Sequence, residues 1–362
     1  MIAQHAGGGK AEQIFLRGFD ADHGTDVAIS VDGVPVNMVS HAHGQGYADL
    51  HWLIPEVVDY VEVHKGPYEA ADGDLATAGA VALRTKDRLS QAEGSTRGGS
   101  FSTVHTLALL PLGGDAARDG GYLALAGHYT NGPFDSRQRY WRSNAFGKWT
   151  AAVGSSAQFV ATASGYGTRW NASGQIPSRA VAEGVTPRFG SLDPYEGGNT
   201  QRYEATVELR SAGTGPANWE TQVYAIRYGL ELYSDFTLFL NDSVNGDGIE
   251  QNDQRTVVGL SATHSHASTM FGLPGVMAAG VGGRADVVDL GLFHQRQRVR
   301  LETLVSDDIV QHDTYAWVRQ DVQLSERVRL EHVGECGRTG IAPRPAVGVQ
   351  RRLHTSSSGY TS

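Results

Sequence analysis

The stretch that decides the fold runs from Ile14 to Lys86 and holds four runs in order: FLRGFD (15–20), SVDGVPVNMV (30–39), LIPEVVDYVEVHKGP (53–67) and GDLATAGAVALRTK (73–86). In the second, the β-prone segments Ala28–Val31 and Val34–Val39 flank Asp32-Gly33. Both turn residues tolerate positive φ, which makes this pair the strongest short hairpin signal. Pro35 has no N–H to give a ladder, so its strand is expected at a sheet edge. Pro55 suits the first position of a helical turn through Glu56, Val57, Val58 and Asp59. Tyr60–His64 returns to strand alternation, and Lys65-Gly66-Pro67 ends it as a turn. Ala78–Arg84, small and apolar, is expected as a last buried strand.

In order and spacing, these four runs resemble the plug domain of TonB-dependent outer-membrane receptors, the energised importers of Gram-negative bacteria. The resemblance implies an α+β plug followed by antiparallel transmembrane β-barrel strands. Arg17, Gly18, Asp32, Gly33, Gly66 and Pro67 match plug motifs, and their implied role is to shape and hold the plug. Also implied are the TonB energy-coupling complex as partner of the intact receptor, a small-molecule or metal ligand, outer-membrane lipid around the wall, and no resident cofactor. On this basis residues 1–87 are the plug, 95–335 a partial barrel, and 336–362 an unpatterned tail.

Composition agrees with such a protein. Of 362 residues 46 are Gly, and only 19% are charged against 40% hydrophobic. No run approaches the ~18 apolar residues a spanning helix needs, whereas a barrel carries its apolar residues on alternate positions. A formal charge of -9 without a basic stripe speaks against nucleic acid. The lone Cys336 excludes an intramolecular disulfide framework, a cysteine zinc site and an iron–sulfur cluster.

From about Gly98 the chain alternates. Arg202, Glu204, Thr206, Glu208 and Arg210 interleave with Tyr203, Ala205, Val207 and Leu209, sets that point to opposite faces of a strand. Ala205, Val207 and Leu209 are expected toward lipid, with Glu204 and Glu208 toward the lumen. Gln222, Tyr224, Ile226, Tyr228, Leu230 and Leu232 alternate against Thr221, Arg227 and Glu231. Trp141, Trp149, Tyr166, Trp170, Trp219 and Tyr233 near segment ends fit interfacial girdles. Asn171–Asn199 and Phe236–Asp253 are long and polar, as extracellular loops are, while Pro111–Gly121 fits a short periplasmic connection.

The count is about ten strands up to Glu335. A lumen wide enough for a plug of some 85 residues needs roughly twenty-two. Met1 stands directly before mid-plug-like sequence, with neither a signal peptide nor a TonB box. After Gly334 the alternation fades, as in a disordered loop or a shifted reading frame. The expectation is therefore a receptor fragment, incomplete at both ends.

Chemistry is expected where plug loops meet solute. His41 and His43 share one face of an extended segment, His51 follows, and His23 and His64 are further imidazoles. Metal binding by His41, His43 and His51 competes with a polar apex whose imidazoles hydrogen-bond loop backbone. NDSVNGDGIEQND (241–253) suggests a calcium loop, but the first and twelfth ligand positions would fall on Ser243 and Gln254. A solvated loop fits better. His-x-His also occurs in metal-dependent hydrolases on βα barrels, but that scaffold needs helical periodicity, which the chain lacks. A non-transporting β-rich surface protein shares the strands without explaining the plug motifs.

Overall fold

Three short strands, β1 (Ile2–Ala3), β2 (Gln13–Leu16) and β3 (Phe19–Ala21), form a small antiparallel sheet at the start of the chain. A second sheet holds β4 (Val27–Val31), β5 (Val34–Pro35), β6 (Val58–Lys65) and β7 (Gly79–Thr85) in the order β5-β4-β7-β6. The computed structural model describes residues 2–3, 9–16, 18–21, 25–114, 119–213 and 217–343. Arg17 and His23 lie outside the described residues, as does the segment 344–362.

The hairpin forms where the sequence puts it. Asp32 (φ 48°) and Gly33 (φ 82°) both take positive φ between β4 and β5, the backbone of a two-residue turn matched to strand twist. Pro35 ends β5, an edge strand of this sheet, so its missing N–H breaks no ladder. Pro55 opens a 3-10 turn, Pro55–Val57, directly before β6, so Val58 and Asp59 belong to the strand and not to the turn. Gly66 follows β6 with φ 95°, a conformation that would strain a residue bearing a Cβ. β7 lies inside the sheet, parallel to β4 and antiparallel to β6.

Eleven strands build the large sheet: β8 (Glu93–Gly99), β9 (Thr103–Leu112), β10 (Asp119–Thr130), β11 (Tyr140–Val153), β12 (Ala157–Asn171), β13 (Gly197–Ser211), β14 (Asn218–Ser234), β15 (Ile249–Met270), β16 (Leu273–Arg296), β17 (Val299–Ser325) and β18 (Val328–Pro343). Each pairs antiparallel with its sequence neighbour, leaving β8 and β18 as edges. This is one strand more than expected, and β18 runs past Gly334 through Cys336 to Pro343. Loss of side-chain alternation did not end the strand there, because main-chain pairing with β17 does not depend on side chains. Among the described residues the only α-helix is Ser178–Ala182 (α1), so the βα-barrel scaffold of the hydrolase alternative is not this one.

One face of the large sheet packs on the N-terminal domain. Val27, Ile29, Trp52 and Ile54 share a core with Leu107, Tyr122, Phe146 and Tyr166, and Val34, Met38 and Tyr47 share another with Tyr224, Tyr228 and Leu230. Burial of each such side chain contributes about 1.5–3 kcal/mol. On β13, Glu204 and Glu208 are buried on this inner face, while Tyr203, Val207 and Leu209 are exposed on the outer one. Two of the aromatics expected in girdles belong instead to the inside. Tyr166 (3% exposed) and Trp170 (1%) are packed within the two cores, whereas Trp141 stands outside at 49%. They sit on even positions of β12, and it is strand parity, not distance from the strand end, that sets direction.

Candidate functional site

The loop that follows β5 carries the histidines. Asn37 folds it back by accepting the Ile29 N–H on Oδ1 (2.7 Å) and donating to the Val27 carbonyl (3.0 Å). The loop then meets β14–β17. Arg255 donates to the Ser40 carbonyl (2.6 Å), Arg284 to the Asn37 carbonyl (2.7 Å) and Gln251 to the Ala42 carbonyl (2.7 Å). Ala42 N–H donates to Asp253 (3.2 Å), and the Ser40 hydroxyl to Gln311 (2.9 Å).

Behind these contacts lies a buried charge network. Arg255 and Asp253 are fully buried and joined by two hydrogen bonds of 2.8 and 2.6 Å. Arg255 also reaches Asp286 (3.3 Å), which Arg284 holds from the other side at 2.6 and 2.8 Å. Two cations and two anions thus compensate each other away from water, the condition under which buried ion pairs persist. Sequence reading left Asp253 at the end of a polar loop and gave Arg255, Arg284 and Asp286 no role. Only strand register brings them together.

His41 is part of this packing. Its ring stacks on Tyr47 with centroids 4.0 Å apart, and its Nδ1 accepts the His43 N–H at 3.2 Å. An accepting Nδ1 puts the ring proton on Nε2, which faces the Tyr228 hydroxyl (3.2 Å) and Asp253 (3.7 Å). His43 Nδ1 lies 3.1 Å from the Gln251 side-chain oxygen. His51 is engaged elsewhere: its ring and backbone N–H groups both donate to Asp49, at 2.6 and 2.8 Å. Burial alone would raise the Asp49 carboxyl, but His51 holds it below the usual value. In turn burial would lower His51, and Asp49 raises it above the ordinary imidazole value. His64 pairs with Asp72 at 2.9 Å. The three apex histidines do not converge, and among the described residues no three His, Cys, Asp or Glu side chains are arranged to hold a metal.

Comparison with known proteins bears on this architecture. Residues 1–80 match the TonB-dependent receptor plug domain model. The full fold is similar to the ferripyoverdine receptor of the Pseudomonas aeruginosa outer membrane (TM-score 0.71, 11% identity, 95% of this chain and 48% of that one). It is also similar to the ferric citrate transporter FecA (0.71, 13%, 95% and 55%) and the copper transporter OprC (0.69, 14%, 95% and 50%). The chain spans about half the length of these receptors. The large sheet therefore has the fold of the barrel wall in those receptors, with its inner face on the plug.

At its other end the plug is tied to the wall by a second network. Asp32 accepts the Thr85 N–H (2.8 Å) and hydroxyl (2.5 Å), fixing the hairpin turn to the end of β7. Lys148 of β11, its side chain 2% exposed, reaches Asp32 (3.4 Å), Asp87 (3.1 Å) and the Thr85 carbonyl (3.2 Å). Arg210 of β13 binds Asp87 at 2.6 Å, and Gln222 of β14 donates to the Asp32 carbonyl at 2.7 Å. Against burial, Lys148 and Arg210 hold the Asp87 carboxyl below its usual range. Asp32 and Gly33 thus form both the plug's own turn and its anchor to two wall strands, β11 and β14, with Asp87 adding the contact to β13. Gly18 also takes positive φ (82°).

The long loops complete the opposite end. In 235–248, Asp247 accepts the Asn241 and Asp242 N–H groups and the Thr237 hydroxyl, and Asp242 accepts those of Val244 and Asn245. The carboxylates that suggested calcium are turned onto their own backbone, in the solvated-loop arrangement. In 172–196, burial together with the charges of Asp193 and Asp235 lifts the Glu196 carboxyl to about 7.

Proposed function

We propose that the chain is the plug-bearing part of an outer-membrane receptor that imports a scarce solute, a metal, metal chelate or other small molecule, with energy passed through TonB. The observation that carries this reading is a plug domain seated on the inner face of an amphipathic antiparallel wall and tied to it at both ends. Val207 and Val223, about half exposed on the outer face, fit lipid. Arg17, Gly18, Asp32, Gly33, Gly66 and Pro67 shape and hold the plug in this reading. Solute recognition falls to the lumenal surface at the end bearing the long loops.

The test is transport. Cells whose receptor carries this sequence should accumulate labelled iron or copper chelate when TonB is functional and lose that accumulation when it is deleted. The chain should fractionate with outer membranes. Accumulation indifferent to TonB, or fractionation elsewhere, overturns the reading.

A further inference from the structure

Strand register places four basic or imidazole side chains in one row across the wall. Arg97 of β8 lies opposite His105 of β9, His105 opposite His128 of β10, and His128 opposite Arg142 of β11. Direct partners share a face, so the row spans three inter-strand steps of about 4.8 Å, roughly 14 Å in all. The His105 and His128 rings lie 6.1 Å apart, and His128 meets Tyr140 at 5.6 Å. Parity puts the row on the lumenal face, with Leu107, Tyr122, Ala124 and Asn144 of the same strands buried against the plug. It sits near the turn 100–102 and the connection 131–139, whose Asp135 N–H reaches Phe189 of the long loop. That is the end opposite the linker 86–92.

Like charges directly opposite one another destabilise a sheet. Each arginine faces an imidazole, an arrangement that avoids two fixed charges directly opposite, and among the described residues no carboxylate lies within ion-pair distance of Arg97, His105, His128 or Arg142. The plug segment that Asn144 reaches, by donating to the His51 carbonyl at 2.8 Å, carries Asp49, already engaged by His51. Glu12 stands 3.9 Å from His51. Two polar atoms of the row, His105 Nδ1 and Arg142 Nε, are buried without a hydrogen-bond partner. Buried donors left unmade are costly, and elsewhere this protein satisfies them with acids, as at Arg255 and Lys148. A solute carrying oxyanion groups would supply what is missing, since a guanidinium fork matches a carboxylate or phosphate.

We propose that the row Arg97–His105–His128–Arg142 is the recognition surface for an anionic solute with at least two oxyanion groups, a polycarboxylate or a phosphate-bearing compound. This rests on the import reading and adds the charge class of the solute.

The experiment is calorimetric titration of the intact receptor that carries this sequence, folded in detergent, with citrate and with pyrophosphate as probes. Both are expected to bind, and whichever binds more tightly separates the carboxylate from the phosphate source. Arg142→Gln should weaken binding about tenfold, the loss expected for one charge-assisted contact. Adding Arg97→Gln should weaken it further. Arg169→Gln removes the same charge from the outer face and should change nothing. His105→Gln with His128→Gln leaves both arginines and gives a milder loss, and a heat-dependent gel shift verifies folding of each variant. Absence of heat from either probe with wild type overturns the proposal, as does equal binding by the Arg97→Gln/Arg142→Gln variant. If TonB-dependent uptake persists while neither anion binds, the import reading stands and this one falls.

Discussion

Strands β13 and β14 lie side by side, in register Glu204↔Ile226, Thr206↔Tyr224 and Glu208↔Gln222, yet β13 keeps the usual rule for a barrel wall and β14 inverts it. The inner face of β13 is polar: Arg202, Glu204, Thr206 and Glu208, with the Arg202 guanidinium 4.0 Å over the Trp52 ring and paired to Glu204. The inner face of β14 is largely apolar: Tyr224, Ile226, Tyr228, Leu230 and Leu232. Outside, β13 presents Tyr203, Val207 and Leu209, and β14 presents Thr221, Val223 and Arg227. Both strands alternate cleanly, but the apolar set points out in one and mostly in for the other. A lumen filled by a folded domain is not one solvent. Where the plug offers Val34, Met38 and Tyr47 the wall answers with apolar side chains, and where it offers charge the wall answers with charge.

That contrast can be broken most severely at the adjoining strand. Arg255→Ala leaves Asp253 and Asp286 buried with one cation removed, a loss of about 3–5 kcal/mol. It should lower the temperature of the heat-dependent gel shift more than any other single change proposed. Arg255→Met with Asp253→Leu should recover part of that loss, and no recovery would show that the backbone contacts, not the charges, hold the loop.

The outer faces give the next largest effect. Val207→Arg puts a charge into lipid, costing about 2–4 kcal/mol near the midplane. Arg227→Leu, on the outer face nearer the loops, should be neutral or favourable despite losing its 3.0 Å bond to Thr256. Equal impairment of assembly by both would invert the assignment of inside and outside.

Just before β13 begins, Glu196 links the wall to pH. Its carboxyl is raised to about 7 in the folded protein. The stability associated with its neutral form is therefore complete below about pH 4.5 and lost as pH rises through about 7. Glu196→Gln should stabilise the protein by about 1–2 kcal/mol at pH 8 and leave it unchanged at pH 4. Thermal midpoints at the two pH values decide it, and an equal gain at both would remove the carboxyl's titration as the cause. Ile226→Val should cost less, about 1 kcal/mol for one buried methylene. The same measurement should find almost nothing for Val223→Ala, which packs only on lipid in this assignment.

The plug was legible because its information is local. Asp32-Gly33, Pro35, Pro55 and Gly66 each dictate a backbone conformation at their own position, and each is found in it. The wall was legible as a period, but its inside and outside were not. Tyr166 and Trp170 read as interfacial aromatics until parity placed them in the plug cores. The histidine cluster was the hardest to read. His41 and His51 are ten residues apart, but their partners, Tyr228 for one and Asp49 for the other, separate them. The basic row is invisible in sequence for the converse reason, since Arg97 and Arg142 become neighbours in a row only through three strand pairings.

The hydrogen bond from Ser40 to Gln311 joins residues 271 positions apart, and that from Arg284 to Asn37 spans 247. Contacts of such sequence separation form late, because the intervening chain must be ordered before they return anything. The loop after β5 can fold onto itself early through Asn37, but it reaches its final setting only once β15–β17 are in place. Assembly is therefore expected to proceed with the plug and wall maturing together, its slowest phase being the seating of that loop. Variants at Gln311 or Arg284 should slow folding less than they speed unfolding, the kinetic mark of contacts made after the transition state.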